Sequence, residues 1–269
     1  MIAVGVDFGI SSFKTAAIDL ESGFLRPPAV LGGGAEGALS EYLSGNALSP
    51  GQISRVNITG IRAPKGVKTF LGAPAFYVSE FESNARGAMY LSDFEEAVVA
   101  CVGSGTSLLK CGRNGEFTHL GGTGVGGAAI AGLSRLMLGT DDFNEIARLA
   151  AKGDLSKIDL TIGDLAPEHE SLRKDVTAAN FGKIAENAGK PDVALAVLNL
   201  VFQTVGMMCV FAARSVGAEN ITLIGGATDF PQAPELFYGV KRLCGLNFYM
   251  PEKARFATAI GAALCERVR

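Results

Sequence analysis

The sequence contains few histidines and no closely spaced cysteines. Its 269 residues include only two histidines, His119 and His169, which do not form a metal-ligating pair. A histidine-based metal centre is therefore excluded by composition. The five cysteines are odd in number and far apart, at Cys101, Cys111, Cys209, Cys244 and Cys265. Because no CxxC pair occurs, they predict reduced core thiols in a cytoplasmic protein, with no disulfide framework and no iron–sulfur site.

Charged residues are few and nearly balanced. Lys and Arg total 24 against 27 Asp and Glu, which gives a formal net charge of -3. The absence of a basic stripe excludes nucleic acid as an expected partner. The first residues, MIAVGVDFG, lack the cationic region of a signal peptide. With 48% hydrophobic residues, the chain predicts one large or two coupled globular domains.

One uncharged segment, residues 194–213, has the length of a membrane span. It contains Asn199, Gln203 and Thr204, and no cationic anchor closely precedes it. The segment therefore favours a fully buried helix, either central in the fold or at a dimer interface, and no membrane partner is expected.

Glycine is abundant, at 35 residues, and two glycine-containing turns recur in similar surroundings. The first strand–turn–strand pattern consists of the strand IAVGVD, the turn FGISS and the strand FKTAAID. The second lies in AVVACVGSGTSLLKCG. Superposing the turns places Gly9 on Gly105 and Lys14 on Lys110, which predicts an internal duplication.

Between and after these two copies, strand patterns alternate with helical ones. Strands are predicted at 56–61, 75–78, 221–226 and 246–250, and helices at 36–42, 83–91, 128–137, 141–152, 176–187, 193–216, 233–244 and 257–269. Thr140 or Asp141 is the expected N-cap of the helix at 141–152. The alternation predicts an α/β fold with parallel or mixed sheets and a domain boundary near residues 92–95.

Four glycine-containing motifs favour nucleotide binding. The turn after Asp7 presents amides, the hydroxyls of Ser11 and Ser12, and the Lys14 ammonium, a set that suits a polyphosphate beside Mg²⁺. A plain β-hairpin fits this motif equally well. A second loop of this kind is predicted at VGSGTS. The third motif, GGTGVGGAAIAGL, predicts free backbone amides at the N-terminus of a helix. The fourth motif, ITLIGGA, is a strand that ends in two glycines. An ordinary strand-to-loop turn is an equally good reading of the last motif.

The motifs DFGISSFK, EFESNARG, VGSGTSLL, GGTGVGGAAIAGL, DVTAANFGKI, ITLIGG and FATAIGAAL occur in this order. Together they resemble the type II pantothenate kinases over residues 3–264. The resemblance implies a two-domain actin-like ATPase fold of the duplicated ribonuclease H-like kind, with domains at 1–94 and 95–269 and a nucleotide cleft between them. It further implies ATP and Mg²⁺ as cofactors, pantothenate as the small-molecule substrate, coenzyme A biosynthesis as the pathway, and a homodimer.

The same resemblance implies a role for individual residues. Glu80 would be the catalytic base, and Asp7 would organise Mg²⁺. The implied ATP-binding residues are Asp7, Phe8, Gly9, Ile10, Ser11, Ser12, Phe13, Lys14, Ser104, Gly105, Thr106, Gly126, Gly127, Ala128, Ala129, Ile130, Ala131, Phe143, Gly225, Gly226 and Ala227. The implied substrate-binding residues are Glu80, His119, Gly121 and Gly122.

The sequence departs from the family pattern at two positions. Ala128 replaces the third glycine of a run, and His119 stands where the family has an arginine. A neutral imidazole cannot make the bidentate contacts of a guanidinium, so another small-alcohol or sugar kinase stays open as an alternative, as does an ATP-binding activator module. Arg86 and Arg113 are the candidate cations that could replace the missing arginine.

Overall fold

The structure, a computed structural model, describes residues 1–10, 12–32, 35–64, 66–168 and 173–266. It is an α/β fold with mixed sheets, as the sequence predicts: the described residues form two large mixed sheets and a two-stranded antiparallel sheet. The strands are β1 Ile2–Phe8, β2 Phe13–Asp19, β3 Ala29–Leu31, β4 Ile53–Thr59, β5 Thr69–Phe70, β6 Ala73–Tyr77, β7 Glu96–Val102, β8 Thr106–Gly112, β9 Phe117–Thr123, β10 Leu160–Thr161, β11 Thr177–Ala179, β12 Asn220–Ile224 and β13 Asn247–Tyr249. The helices are α1 Ala35–Gly45, α2 Glu80–Tyr90, α3 Gly127–Leu138, α4 Phe143–Ala150, α5 Ile162–Leu165, α6 Lys190–Val216, α7 Ala233–Cys244 and α8 Ala257–Leu264.

Each of the two large sheets is built on one of the two predicted hairpins. The first sheet has the order β3-β2-β1-β4-β6-β5, and the second has the order β13-β12-β7-β8-β9. In each, an antiparallel hairpin (β1–β2 or β7–β8) adjoins a parallel strand (β4 or β12). All seven residues of β1 are buried, which explains its continuous apolar sequence. The predicted duplication is therefore present in the strand topology.

The residue register of the duplication differs from the sequence superposition. Lys14 pairs with Asp7 one step from the turn, whereas Lys110 pairs with Val98, four steps from its turn. Lys110 instead forms an ion pair with Glu96 at 3.4 Å. The equivalence of Lys110 with Lys14 is therefore wrong, and the second turn has no lysine in the place of Lys14.

Helices α2 and α8 pack against each other between the sheets. Ala85 and Ala88 of α2 belong to a core cluster with β7 and β8, while Ala259 and Ile260 of α8 pack on β2. The helix backbones touch, because a Cβ added at Gly261 would overlap the Ser83 carbonyl. The first residue of α2 is thus placed where the two sheets approach each other.

Helix α6 contains the uncharged segment singled out in the sequence. Its first turn is capped by Asp192, which accepts from the Gly189 amide at 2.9 Å, and it ends at Gly217 with φ of 69°. By length and composition it could cross a membrane, but 61% of its apolar window is buried inside the structure. The predicted buried central helix is confirmed, since α6 contributes much of the core under the second sheet.

The helix predicted at 176–187 is wrong. This segment contains β11 and then turns, with Phe181 and Ile184 at positive φ. The cause is a tertiary contact, because the fully buried Asp159 carboxylate accepts from the Phe181 amide at 2.9 Å and from the Thr177 hydroxyl at 3.1 Å. These bonds replace the helical ones.

Two predicted helix ends also need correction. The N-cap of α4 is Asp142, which accepts from the Glu145 amide, and neither Thr140 nor Asp141 fills that position. Helix α8 ends at Leu264, and residues 267–269 lie outside the described part of the chain, as does His169.

Candidate active site

The first hairpin ends in a charged pair. Asp7 and Lys14 face each other across β1 and β2, with 3.6 Å between the lysine Nζ and the aspartate Oδ2. Both side chains are largely buried. Burial raises the pKa of Asp7, and the Lys14 charge partly opposes that rise. The fold therefore holds a positive and a negative side chain together where the two strands enter the turn.

The turn joins Phe8 to Phe13, and its described residues are Gly9, Ile10 and Ser12. Gly9 lies where a Cβ would come to 3.0 Å from the Ser12 carbonyl oxygen and 4.0 Å from the Lys14 Nζ. Ile10 is exposed, and Phe8 and Phe13 form a ring pair that closes the hairpin. Ser11 falls outside the described residues.

Glu80, the first residue of α2, belongs to the same cluster. Partial burial and the Asp7 charge raise the pKa of the Glu80 carboxyl, whereas Lys14 lowers it. The fold thus brings together three charged groups from positions 7, 14 and 80. Glu82, one of the neighbouring acids, instead pairs with Arg86 at 2.8 Å.

Gly60, which sequence reasoning missed, fixes the position of Asp7. It follows β4 with φ of 96°, and a Cβ there would lie 2.6 Å from the Phe8 carbonyl oxygen and 2.8 Å from Asp7 Oδ1. Only glycine fits this conformation and this space. Its signal in the sequence is weak, a single glycine within the strand predicted at 56–61.

The second turn and the glycine-rich loop form one unit. The Gly127 amide donates to the Gly103 carbonyl at 2.8 Å, and the Ala128 amide donates to the Ser104 carbonyl at 2.9 Å. The expectation that these two amides are free is wrong, because the N-terminus of α3 packs directly on the turn. The Ile130 side chain is fully buried in the core, so a ligand could reach only its backbone.

Other members of this unit are held by close packing. Thr106 donates from its hydroxyl to the Val125 carbonyl at 2.8 Å. A Cβ at Gly122 would lie 2.5 Å from the Thr106 carbonyl oxygen, and one at Gly105 would lie 2.7 Å from the Thr123 carbonyl oxygen. The remaining predicted residues, Gly126, Ala129 and Ala131, lie at the start of α3 or within it.

The Gly225–Ala227 turn lies against the second hairpin. Gly225 has φ of 101°, and a Cβ there would lie 2.6 Å from the Val102 carbonyl oxygen. Space is open around Gly226, since nothing described lies within 4 Å of its Cβ position. Phe143, on the far side of the second turn, is 3.6 Å from the Cβ position of Gly127 and is partly exposed. An apolar ring and an open glycine therefore border the same turn.

Asp229 is a second residue that sequence reasoning missed. It ends the short turn Gly226–Asp229 and forms an ion pair with Arg255 at 2.6 Å. Burial raises the pKa of Asp229, and Arg255 and then Lys14 oppose that rise. Asp229 therefore lies close enough to Lys14 for the two charges to interact.

His119 is exposed on β9 and stacks on Phe81, with ring centroids 4.5 Å apart and planes 16° apart. Phe81 is adjacent to Glu80, so the fold places His119 beside the candidate base. Gly121, two residues further along β9, has φ of 136° and open space at its Cβ position among the described residues. Arg86 and Arg113 are each engaged by an acid, at 2.8 Å and 3.2 Å.

The donor set around Asp7 is sparse. Within the described ranges, no group of three or more His, Cys, Asp or Glu side chains could hold a metal ion. A single carboxylate beside a phosphate-binding turn is nevertheless the arrangement that suits Mg²⁺, which keeps several waters and is completed by substrate phosphates. The residues present thus fit a nucleotide-borne Mg²⁺ and exclude, in the described part, an all-protein metal cage.

Two hairpin-led sheets, with charged and glycine-rich turns at one end of each, define the α/β fold of actin-like ATPases and sugar kinases. The fold resembles the activator of 2-hydroxyisocaproyl-CoA dehydratase from Clostridium difficile, solved with bound ADPNP. The TM-score is 0.68 at 17% identity, and the match covers 98% of this chain and 93% of that one.

The chain belongs to the Fumble family, whose model matches residues 75–229. It is 32% identical over 188 residues to a type II pantothenate kinase of Bacillus anthracis, a match that covers 64% of this chain and 66% of that protein, just under two thirds. It is 27% identical to a type II pantothenate kinase of Oceanobacillus iheyensis, with 84% and 83% covered. The family identified from the sequence motifs is confirmed.

Proposed function

We propose that this chain is an ATP-dependent kinase that transfers the γ-phosphoryl group of ATP to the 4′-hydroxyl of pantothenate, a step toward coenzyme A. One observation supports the proposal: in this Fumble family member, the charges of the Asp7–Lys14 pair act on the Glu80 carboxyl. A kinase for an alcohol needs this combination of a carboxylate, a phosphate-facing cation and an acid for the metal. We place the reaction in the cytoplasm, in keeping with the five cysteines, all of which are free.

The two turns would hold the phosphates of ATP from both sides. Lys14 and the backbone of residues 9–12 would bind from the first hairpin, and Ser104 with Gly105 and Thr106 from the second. Because the amides of Gly127 and Ala128 are already used within the protein, they support the second turn and do not bind phosphate themselves. Gly226 would border the adenosine, with Phe143 nearby.

Asp7 is the residue that would hold the Mg²⁺ of the nucleotide. When bound, the ion would neutralise charge that develops on the transferring group. Gly60 keeps the Asp7 carboxylate in place, since its own Cβ space is filled by Asp7 Oδ1 and the Phe8 carbonyl. Lys14 would stabilise the same charge from within the first hairpin.

Glu80 would accept the proton of the pantothenate hydroxyl as that oxygen attacks. A raised pKa makes the Glu80 carboxylate a stronger base than a fully solvated one. His119, stacked on the neighbouring Phe81, would contact the acceptor. Gly121 and Gly122, which follow His119 on β9, would also contact pantothenate.

We also propose that the active form is a homodimer joined through α6. One side of this helix is incompletely buried, at Leu200, Thr204 and Met207, and Phe211 is 61% exposed. These residues recur at helical spacing and form an apolar outer stripe. A twofold pairing of two such stripes would bury them.

The test is product formation with a panel of acceptors. Purified protein is incubated with ATP, Mg²⁺ and either pantothenate, N-acetylglucosamine or no acceptor, and products are identified by mass spectrometry. We expect 4′-phosphopantothenate as the main product. Preferential phosphorylation of the sugar would replace the proposal by that of a sugar kinase, and ATP hydrolysis unaffected by any acceptor would favour an activator module.

A further inference from the structure

A buried hydrogen bond joins α2 to α8 one helical turn from Glu80. The Thr258 hydroxyl donates to Asn84 Oδ1 at 2.7 Å, and the two residues are 6% and 1% exposed. Asn84 follows Glu80 by four residues, so both side chains lie on the same side of α2. The bond therefore anchors the helix face that carries Glu80.

Cys101 of β7 lies close to both this bond and the charged cluster. The charges of Glu80, Asp7 and Lys14 all act on its thiol, and the Thr258 hydroxyl lies beside it. Burial raises the pKa of the thiol to about 12, so the group stays protonated and uncharged. The thiol is thus an uncharged buried group beside Glu80. Strands β1 and β2 of the first sheet and β7 of the second sheet approach each other at this point.

Few other side-chain contacts hold the start of α2: Phe81 stacks on His119, and the Ser83 hydroxyl lies 3.9 Å from Cys265 Sγ. Ser79, the N-cap residue, makes no side-chain cap hydrogen bond within the described structure. Further along, α2 and α8 meet through the backbone contacts of Gly87 and Gly261. Backbone contacts of this kind, without interlocking side chains, allow two helices to slide along each other. A side-chain hydrogen bond between them fixes one relative position.

The Asn84 amide depends on the Thr258 contact. Its Nδ2 atom is buried and has no hydrogen-bond partner among the described residues. Losing the Thr258 hydroxyl would leave the whole side-chain amide unpaired in the interior, which is unfavourable enough to move the helix.

We propose that the Thr258–Asn84 hydrogen bond positions Glu80 for proton transfer by fixing α2 against α8. Thr258 and Asn84 are positioning residues, since they act through Glu80. The inference rests on the proposed kinase function and goes beyond it by assigning a buried contact that the reaction itself does not use.

The test compares Thr258→Val, which removes the hydroxyl at nearly constant shape, with Thr258→Ser, which keeps it. We expect Thr258→Val to lower kcat about tenfold with the KM for ATP within about twofold, and Thr258→Ser to retain most of the activity. Thr222→Val is the matched control, because Thr222 is fully buried with a hydroxyl that has no partner among the described residues.

The pH profile separates positioning from a general loss of stability. Glu80 is faced by Asp7 on β1, Lys14 on β2 and Cys101 on β7, with Glu82 and Arg86 on its own helix. A moved Glu80 should shift the midpoint of the acid limb of kcat in Thr258→Val, and the control should leave it unchanged. Kinetics of Thr258→Val equal to those of the control, or no rescue by serine, would overturn the inference.

Hydrogen exchange keeps the inference testable apart from activity. If the wild-type protein phosphorylates no acceptor, the proposed function fails. The positioning inference is then decided by exchange of the α2 amides. Faster exchange in Thr258→Val than in Thr222→Val supports the inference, and equal exchange overturns it.

Discussion

Replacing Gly60 by alanine should disable the site through Asp7. The added Cβ would lie 2.6 Å from the Phe8 carbonyl oxygen and 2.8 Å from Asp7 Oδ1, closer than the 3.0 Å below which real Cβ atoms essentially never come. The backbone or the carboxylate must therefore move by about half an ångström, and we expect a ten- to hundredfold loss in kcat/KM. Because Asp7 would organise Mg²⁺, the Mg²⁺ concentration required for half-maximal rate should also rise.

The matched control is Gly72→Ala. Gly72 also has positive φ, at 79°, but nothing described lies within 4 Å of its Cβ position. Both variants carry the cost of alanine at positive φ, about 1–3 kcal/mol in the free energy of unfolding. Urea unfolding and steady-state kinetics at varied Mg²⁺ measure the two effects. If Gly60→Ala loses no more activity than Gly72→Ala, the proposed role of the Asp7 position is refuted.

Three further results are expected. Partial burial and the Asp7 charge raise the pKa of Glu80, so kcat should fall at low pH with a midpoint above 4.5, the ordinary pKa of a glutamate carboxyl. A midpoint at or below 4.5 would contradict this expectation. His119→Ala should raise the KM for pantothenate and leave the KM for ATP nearly unchanged, because the imidazole would contact the acceptor; an unchanged pantothenate KM would make His119 a bystander. Light scattering at micromolar concentration should give twice the 27.9 kDa chain mass, and Phe211→Asp should give the monomer; a monomeric wild type would exclude the dimer.

The sequence alone predicts the secondary structure correctly where the local residue pattern determines it. The two hairpins follow from apolar strands flanking glycine–serine turns, and α7 occupies the predicted range, Ala233–Cys244. The sequence also predicts the candidate base and the charged pair of the first turn, and the fold brings them together. Their chemical roles stay predictions.

Sequence reasoning failed where a distant contact decides the outcome. The segment after Thr177 has a helical pattern, but the buried Asp159 carboxylate holds its amides and side chains in a turn. Gly60 and Asp229 carry no local signal strong enough to identify them, because each matters through what faces it across the fold. The occupied amide of Gly127 likewise depends on how α3 packs on the second turn.

The most direct test of the account is single-turnover phosphoryl transfer from ATP to pantothenate by the wild-type protein, Glu80→Gln and Glu82→Gln. Glutamine keeps the shape of Glu80 but cannot accept the proton, so the rate should fall 10²- to 10⁴-fold, with ATP affinity within about twofold. Glu82→Gln should stay near the wild-type rate, because Glu82 pairs with Arg86. A Glu80→Gln rate within about threefold of wild type would contradict the account.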